Sequence, residues 1–329
     1  MGSDTRAARV VCLRPKADFA AVGVEVPAGL DVVYADDERS AGAIGPGVAC
    51  VVLPSAGAAL PAEMFADARD LVLLQYTGAG VDRVSGDIVE RLRCSVCNVP
   101  GASAKDVAAY VVLVSGMLLR RIISGDALVR AGRYGEARAD LAPARVRGFR
   151  GLRVGIVGFG SIGVETALAF GALGADVRWY DPLPGDRVEA RRFERADLGD
   201  LLEWCEILSV HVPLTEETKG LIGASELALM PCGAIVVNAA RGGIVDEAAL
   251  VDALDEGRVA GAALDVYETE PLPASSPLIK AAARHGERLV LTPHIAGVTP
   301  EASRELFERA WANVLAVVAE GREPAHRVL

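Results

Sequence analysis

Residues 153–163, RVGIVGFGSIG, restrict this chain more than any other segment. The apolar run 154–157 reads as a buried parallel strand. It feeds directly into Gly158-Phe159-Gly160-Ser161-Ile162-Gly163, and an Ala-rich helical pattern follows over 164–173. Glycine serves three needs at this spacing: a tight turn, close approach of backbone to a pyrophosphate, and close helix–strand packing. The helix N-terminus, with unpaired N–H groups and a favourable dipole, suits an anion. A second apolar strand at 177–180 ends in Asp181, about 20 residues past the glycines, as a dinucleotide fingerprint requires. A carboxylate there accepts from both ribose hydroxyls and repels a 2′-phosphate. The pattern predicts an NAD site.

A chain of 329 residues has room for two domains. Its net charge of −10 is repelled by nucleic-acid phosphates. No apolar run reaches the roughly 18 residues of a membrane span. The start, MGSDTRAARVVCLRPK, has only a short apolar run and does not read as a signal peptide. The expected location is the cytoplasm, with the cysteines reduced. Cys94-Ser-Val-Cys97 lacks a second pair or nearby histidines. On a strand these two side chains point to opposite faces, so they read as small core residues, and no metal is expected.

Short apolar runs at 10–13, 32–35, 50–53, 71–76 and 95–99 predict strands of a small doubly wound unit. Runs at 154–157, 177–180, 207–212, 234–238, 260–265 and 289–292 predict a six-strand dinucleotide-binding set. The segment 139–150, rich in Arg and Ala, reads as a connecting loop. The segment 106–121 is apolar on nearly every side, which predicts a buried helix crossing between domains or lying in a subunit interface. The last helix has Thr299 as N-cap and Pro300 at its first position. Phe307, Trp311, Val314, Leu315 and Val318 form its apolar stripe, and Gly321 stops it. The chain is expected to return there to the first domain, leaving a cleft between the two.

Three segments place polar residues at the C-terminal ends of predicted strands, the edge where doubly wound sheets bind ligands. In Asn238-Ala239-Ala240-Arg241-Gly242-Gly243, the Arg241 guanidinium is suited to grip a carboxylate with two hydrogen bonds. The others are 263–271, with Asp265 and Glu270, and 291–297, with His294. Hydride transfer to a ketone needs an acid for the forming alkoxide, and histidine suits that task. His294 ends a strand and is followed by Ile-Ala-Gly, whereas His211 sits between two valines. A histidine acid wants a carboxylate partner to favour its charged form and fix its tautomer; Glu270 and Asp265 are both available.

These residues carry a resemblance. TGAGVD (77–82), NVPG (98–101), GFGSIG, HVPLTEETKGLI (211–222), NAARGGIVDEAAL (238–250), GAALDVYETEP (261–271) and TPHIAG (292–297) resemble the D-isomer-specific 2-hydroxyacid dehydrogenase family nearly end to end. That family includes phosphoglycerate, glyoxylate/hydroxypyruvate, D-lactate and phosphite dehydrogenases. The resemblance implies an α/β chain of two doubly wound parallel-sheet domains. A Rossmann NAD-binding domain at 103–295 is inserted into a flavodoxin-like substrate domain, 1–102 with 296–329. It implies a homodimer and a small 2-keto or 2-hydroxy acid as substrate. By motif, Arg241 matches the arginine that holds the substrate carboxylate, His294 the proton donor, and Glu270 its tuning partner. Asp265 matches the residue on the nicotinamide carboxamide. Ala79 and Gly80 match the loop whose N–H groups hold the carboxylate's other side, with Asn98 beside the substrate. Gly158, Gly160, Ser161, Ile162, Gly163 and Asp181 match the pyrophosphate and ribose contacts. Val212, Pro213 and Thr218 match the loop beside the adenosine, while Ala239, Ala240 and Gly297 join Arg241, Asp265 and His294 along the cofactor.

The chain also departs from the family. The helix after NVPG usually reads Val-Ala-Glu; here it reads Val107-Ala108-Ala109, and Tyr110 follows. That puts substrate shape and interdomain packing in question more than chemistry. No regulatory domain is expected after Leu329, and no dedicated phosphate clamp is visible in the sequence. The expected activity is NAD-dependent interconversion of a 2-keto acid and its D-2-hydroxy acid. The alternatives are phosphite-type oxidation of an inorganic oxyanion and a non-catalytic, NAD(H)-sensing corepressor-like protein.

Overall fold

The computed structural model describes residues 8–35, 44–141, 146–183, 185 and 188–328. Part of the chain start and residues 142–145 of the expected 139–150 connection lie outside the described residues. The chain divides into two compact units, Met1–Ser103 with Val298–Leu329, and Ala104–Gly297.

In the first unit, β1 (Ala8–Cys12), α1 (Lys16–Ala21), β2 (Leu30–Tyr34), β3 (Val48–Leu53), β4 (Leu73–Tyr76), α2 (Gly86–Leu92) and β5 (Ser95–Cys97) follow in turn. All five strands are parallel, in the order β2-β1-β3-β4-β5, the flavodoxin-like order. Central β3 reads VACVVL and is buried along almost its whole length, as a strand covered on both faces must be. Val51 and Leu53 join one apolar cluster with Met64, Phe65 and Ile88. Cys50 and Val52 join another with Phe19, Phe307 and Trp311. Cys94 falls in the first cluster and Cys97 in the second, so the CxxC splits between the two faces of the sheet.

The second unit opens with α3 (Ala104–Arg120), α4 (Ile122–Arg130) and α5 (Tyr134–Asp140). The expected 139–150 loop therefore begins with helix. Then come β6 (Arg153–Val157), α6 (Ser161–Ala172), β7 (Asp176–Tyr180), β8 (Glu194–Arg195), α7 (Leu198–Trp204), β9 (Ile207–Val210), α8 (Ala224–Leu229), β10 (Ala234–Asn238), α9 (Glu247–Asp255), β11 (Val259–Leu264), α10 (Pro277–His285) and β12 (Leu289–Leu291). The parallel sheet runs β12-β11-β10-β9-β6-β7-β8. Its core follows the dinucleotide-binding order, reversing direction beside β6. Seven strands stand where six were expected. The extra one, β8, is two charged, exposed residues that pair with β7 at the sheet edge, and it has no apolar pattern to announce it.

Helix α3 packs on α6 and on β10 and β11. Within the chain its cover is one-sided: Val107, Ala108, Val111 and Val114 are buried, and Leu113 is 60% exposed. No single helix among the described residues is long and apolar enough to cross a membrane; α3 and α4 reach that length together but are bent by 58°.

The chain closes the first unit with α11 (Pro300–Val314), continued by one wider turn, Leu315–Ala319. Thr299 Oγ1 accepts from the Ala302 N–H at 3.1 Å and Pro300 occupies the first turn, as its start signals require. Phe307 and Trp311 stack around Phe19, with ring centroids 4.6 and 5.4 Å away. Buried Asn313 donates to Gln75 Oε1 at 2.6 Å, which ties α11 to β4.

Candidate functional site

The glycine turn sits between β6 and α6. The helix begins at Ser161, three residues before the 164–173 pattern, with Gly160 as its N-cap. Two of the three fingerprint glycines are demanded by the protein's own packing. A Cβ on Gly163 would lie 2.0 Å from the Gly158 carbonyl oxygen, and one on Gly158 would lie 2.6 Å from the His211 backbone. Gly158 also has φ of +93°. Gly160 is different: a Cβ there meets nothing within 4 Å. Its missing side chain leaves open space at the N-terminus of α6, which fits a pyrophosphate. Asp181, just past β7, accepts from the Phe159 N–H at 2.7 Å and from the Leu183 N–H at 2.9 Å. That grip holds the carboxylate at the mouth of the turn with acceptor capacity left for ribose hydroxyls. Arg195, which sequence reasoning did not single out, donates to the Asp181 carbonyl at 3.2 Å.

Past β9, Val212 is buried. Thr218 closes the loop: its hydroxyl donates to the Pro213 carbonyl at 2.6 Å and accepts from the Thr215 N–H at 2.8 Å. It shapes the segment rather than offering a free hydroxyl. Burial pushes the His211 imidazole down to about 3, and its Nε2 lies 2.8 Å from Ser209 Oγ. A ring so far below its ordinary range stays neutral near pH 7 and is no proton donor.

Adjacent parallel strands β10, β11 and β12 end on one edge. They carry, in turn, Arg241, the pair Asp265 and Glu270, and His294. Asn238 shapes the Arg241 loop: its Nδ2 donates to the Arg241 carbonyl at 2.9 Å, and its Oδ1 accepts from the Ala240 N–H at 3.1 Å. A Cβ on Gly242 would fall 1.9 Å from the Tyr267 carbonyl carbon. Only glycine lets the Arg241 loop pack against the segment leading to Glu270. Buried Ala240 and half-buried Ala239 and Gly297 line the same strand ends.

His294 Nδ1 lies 2.9 Å from Glu270 Oε2, with both side chains partly exposed. Burial alone pushes the Glu270 carboxyl up. The His294 hydrogen bond and charge, the Tyr267 N–H at 3.1 Å and the charge of Arg241 outweigh it, so the carboxyl is held below its usual range. An ionised carboxylate only accepts, so His294 Nδ1 carries a proton and Nε2 is left for exchange. Asp265 does not touch the imidazole. Its carboxylate grips the backbone after His294 instead, accepting from the Ile295 and Ala296 N–H groups at 2.9 and 2.8 Å and from Thr292 Oγ1 at 2.5 Å. Thr292, Tyr110 and Tyr267 were missed as members of this set. Nothing in their spacing separates them from ordinary loop and core residues.

In the first unit, the loop after β4 carries Ala79 and Gly80. Asn98 Nδ2 donates to the Ala79 carbonyl at 2.6 Å, and the Gly78 carbonyl accepts from the Val99 N–H at 2.9 Å. Gly78 packs closely on Ser55: a Cβ there would lie 2.6 Å from Ser55 Oγ. The Gly78 and Ala79 carbonyls are thus committed. The Ala79 and Gly80 N–H groups find no acceptor among the described residues.

The family model described as D-isomer specific 2-hydroxyacid dehydrogenase, NAD binding domain, matches residues 113–296. A glyoxylate reductase from Thermofilum pendens is 36% identical over 270 residues, which cover 81% of this chain and 77% of that protein. A D-3-phosphoglycerate dehydrogenase from Archaeoglobus fulgidus is 38% identical over 242 residues; the match covers 73% of this chain but 44% of that protein, so the chain spans less than half of that relative. The solved structure of a D-lactate dehydrogenase from Treponema pallidum superimposes with a TM-score of 0.76 at 27% identity, covering 98% of this chain and 99% of that one. Sheet order, glycine turn and these matches make the protein an NAD-dependent oxidoreductase with two α/β units. It belongs to the D-isomer specific 2-hydroxyacid dehydrogenase family.

Proposed function

We propose that this protein interconverts a small 2-keto acid and its D-2-hydroxy acid, with His294 as acid and base. The observation that carries the reading is the 2.9 Å pairing of His294 Nδ1 with an ionised Glu270. It stands on the strand edge of the sheet that holds the dinucleotide turn. Bound nicotinamide supplies the hydride to the carbonyl carbon, or takes it back. His294 Nε2 gives a proton to the forming alkoxide during reduction and removes it from the hydroxyl during oxidation. Glu270 accepts from Nδ1 and fixes the tautomer of the ring. Arg241 presents a planar fork to the substrate carboxylate. Within the first unit, the Ala79 and Gly80 N–H groups, which find no acceptor among the described residues, suit a carboxylate. Asp265, after three bonds to the protein, retains one lone pair for an amide N–H of the nicotinamide. The protein acts as a homodimer, a reading supported by the exposed apolar side chains of α3 and α4.

The test is a panel of glyoxylate, hydroxypyruvate, pyruvate, sulfopyruvate and inorganic phosphite, followed by NADH absorbance. Reduction of at least one keto acid is expected, falling about 10²- to 10⁴-fold in His294→Gln. Turnover of phosphite alone, or full activity without the histidine, overturns the reading.

A further inference from the structure

The polar groups behind His294 form one chain. The Tyr110 hydroxyl, on α3, lies 2.6 Å from Thr292 Oγ1, and Thr292 Oγ1 lies 2.5 Å from Asp265 Oδ1. A threonine hydroxyl has one proton and a carboxylate only accepts. Thr292 therefore donates to Asp265, and Tyr110 donates to Thr292. Burial pushes the Tyr110 phenol up to about 12, opposed by the Thr292 hydrogen bond and aided by the Asp265 charge, so the donor keeps its proton near neutrality. The Tyr267 hydroxyl donates to the Thr292 carbonyl at 2.8 Å and anchors the same residue from its other side.

Asp265 turns this chain into backbone geometry. Its carbonyl accepts from the His294 N–H at 2.8 Å, Oδ1 from Ile295 and Oδ2 from Ala296. Three successive N–H groups thus converge on one acidic residue, as in an anion-holding nest. His294 has φ of +54°, a left-handed conformation that a non-glycine residue keeps only when its surroundings enforce it. In that conformation its ring meets Glu270.

We propose that Tyr110 is a positioning residue for His294: through Thr292 it fixes the Asp265 carboxylate on the amides of Ile295 and Ala296, and so holds the imidazole against Glu270. The proposal rests on the reading of His294 as the acid and base. Tyr110 touches no reacting atom. Its contribution is the working angle of the proton donor, so it belongs in kcat rather than in substrate binding. Neighbouring hydrogen bonds polarise one another, so loss of the first donor weakens the carboxylate's grip two steps away.

Tyr110→Phe keeps the ring and removes the donor. Amide hydrogen exchange at Ile295 and Ala296 in the cofactor-free protein is expected to quicken about three- to tenfold, the worth of one neutral hydrogen bond. The kcat of keto-acid reduction is expected to fall by a similar factor, with the keto-acid KM and the NADH Kd changed less than about twofold. Thr292→Val repeats both effects by breaking the chain at its middle, and Thr292→Ser, which keeps a hydroxyl, restores them. That pair also decides the matter if Tyr110→Phe loosens α3. Unchanged exchange at 295 and 296, a loss confined to KM, or equal losses in the Val and Ser variants overturns the proposal. Wild-type turnover in His294→Gln sinks the acid–base reading itself, and the exchange data then stand apart as a measure of the hydrogen-bond chain alone.

Discussion

Glu270 keeps its charge against the cost of burial because His294, the Tyr267 N–H and Arg241 all favour the anion. Its folded carboxyl titrates below the unfolded value. This contribution to stability is therefore present above the ordinary carboxylate range and is lost as pH falls through the folded value. Glu270→Gln removes the anion but keeps an acceptor for Nδ1. The ring then loses its anionic neighbour, and the high-pH limb of kcat/KM for keto-acid reduction should move to lower pH. Oxidation, which needs the neutral ring, should suffer less above neutrality. A pH–rate profile in both directions checks this, and an unmoved limb removes Glu270 as the tuning group. Asp181 carries a second prediction at this scale. Its carboxylate, held at the glycine turn by the Phe159 N–H, would repel a 2′-phosphate there, and NADH should be preferred to NADPH by about 10²-fold in kcat/KM. Asp181→Ser removes the repulsion and leaves Arg195 nearby, so the preference should shrink to less than about tenfold. Equal use of both cofactors by the wild type refutes the assignment. His294 and Arg241 stand out in the sequence because each closely follows an apolar run, whereas Glu270 and Asp265 are both open there as partners of His294, and the 2.9 Å contact of the fold separates them. Tyr110 and Thr292 were not legible as partners. They lie 182 residues apart, and only the fold brings the two hydroxyls together.

At the scale of elements, the β6–α6 turn separates two uses of glycine that one motif conceals. Gly163 is packed against the Gly158 carbonyl, whereas Gly160 faces open space. Gly163→Ala should therefore fail to fold or lose several kcal/mol, on the order of 2–4, because backbone must move. Gly160→Ala should keep its melting temperature within a few degrees and weaken NADH binding by about tenfold or more. Circular dichroism melts and NADH fluorescence titrations of the pair decide it; a Gly160→Ala variant with unchanged Kd means that no pyrophosphate approaches there. The central strands were legible because parallel strands buried on both faces are continuous apolar runs. Boundaries were less so. The start of α6 was placed at 164 because Gly160-Ser161-Ile162-Gly163 reads as turn until helix N–H groups are needed at the phosphate. The edge strand β8, two charged residues, owes its extension to pairing with β7 alone.

At the scale of the whole molecule, the N-terminal helices of the second unit are unfinished as a monomer surface. Helix α4 has no buried residue at all, yet Ile122 and Val129 on it are each 50% exposed, and Leu113 on α3 is 60% exposed. A nine-residue helix whose covered side, at Ser124, Gly125 and Leu128, is only half-buried has little to hold it, since short isolated helices are marginal in water. The all-round apolar pattern of 106–121 had pointed to burial. Only one side of α3 is covered within the chain, and the remainder of the pattern is the face a partner would cover. A second copy of this chain is the partner proposed: a twofold contact lets one patch cover its own counterpart, and apolar side chains of this size stabilise by about 1.5–3 kcal/mol each on full burial. Light scattering at micromolar concentration should return the dimer mass. Ile122→Asp with Val129→Asp places two charges on the patch and should shift the mass to the monomer, while α4 loses helicity. A wild-type monomer mass under these conditions rejects the dimer, and exchange-protected α4 amides in that monomer would show that the helix needs no partner.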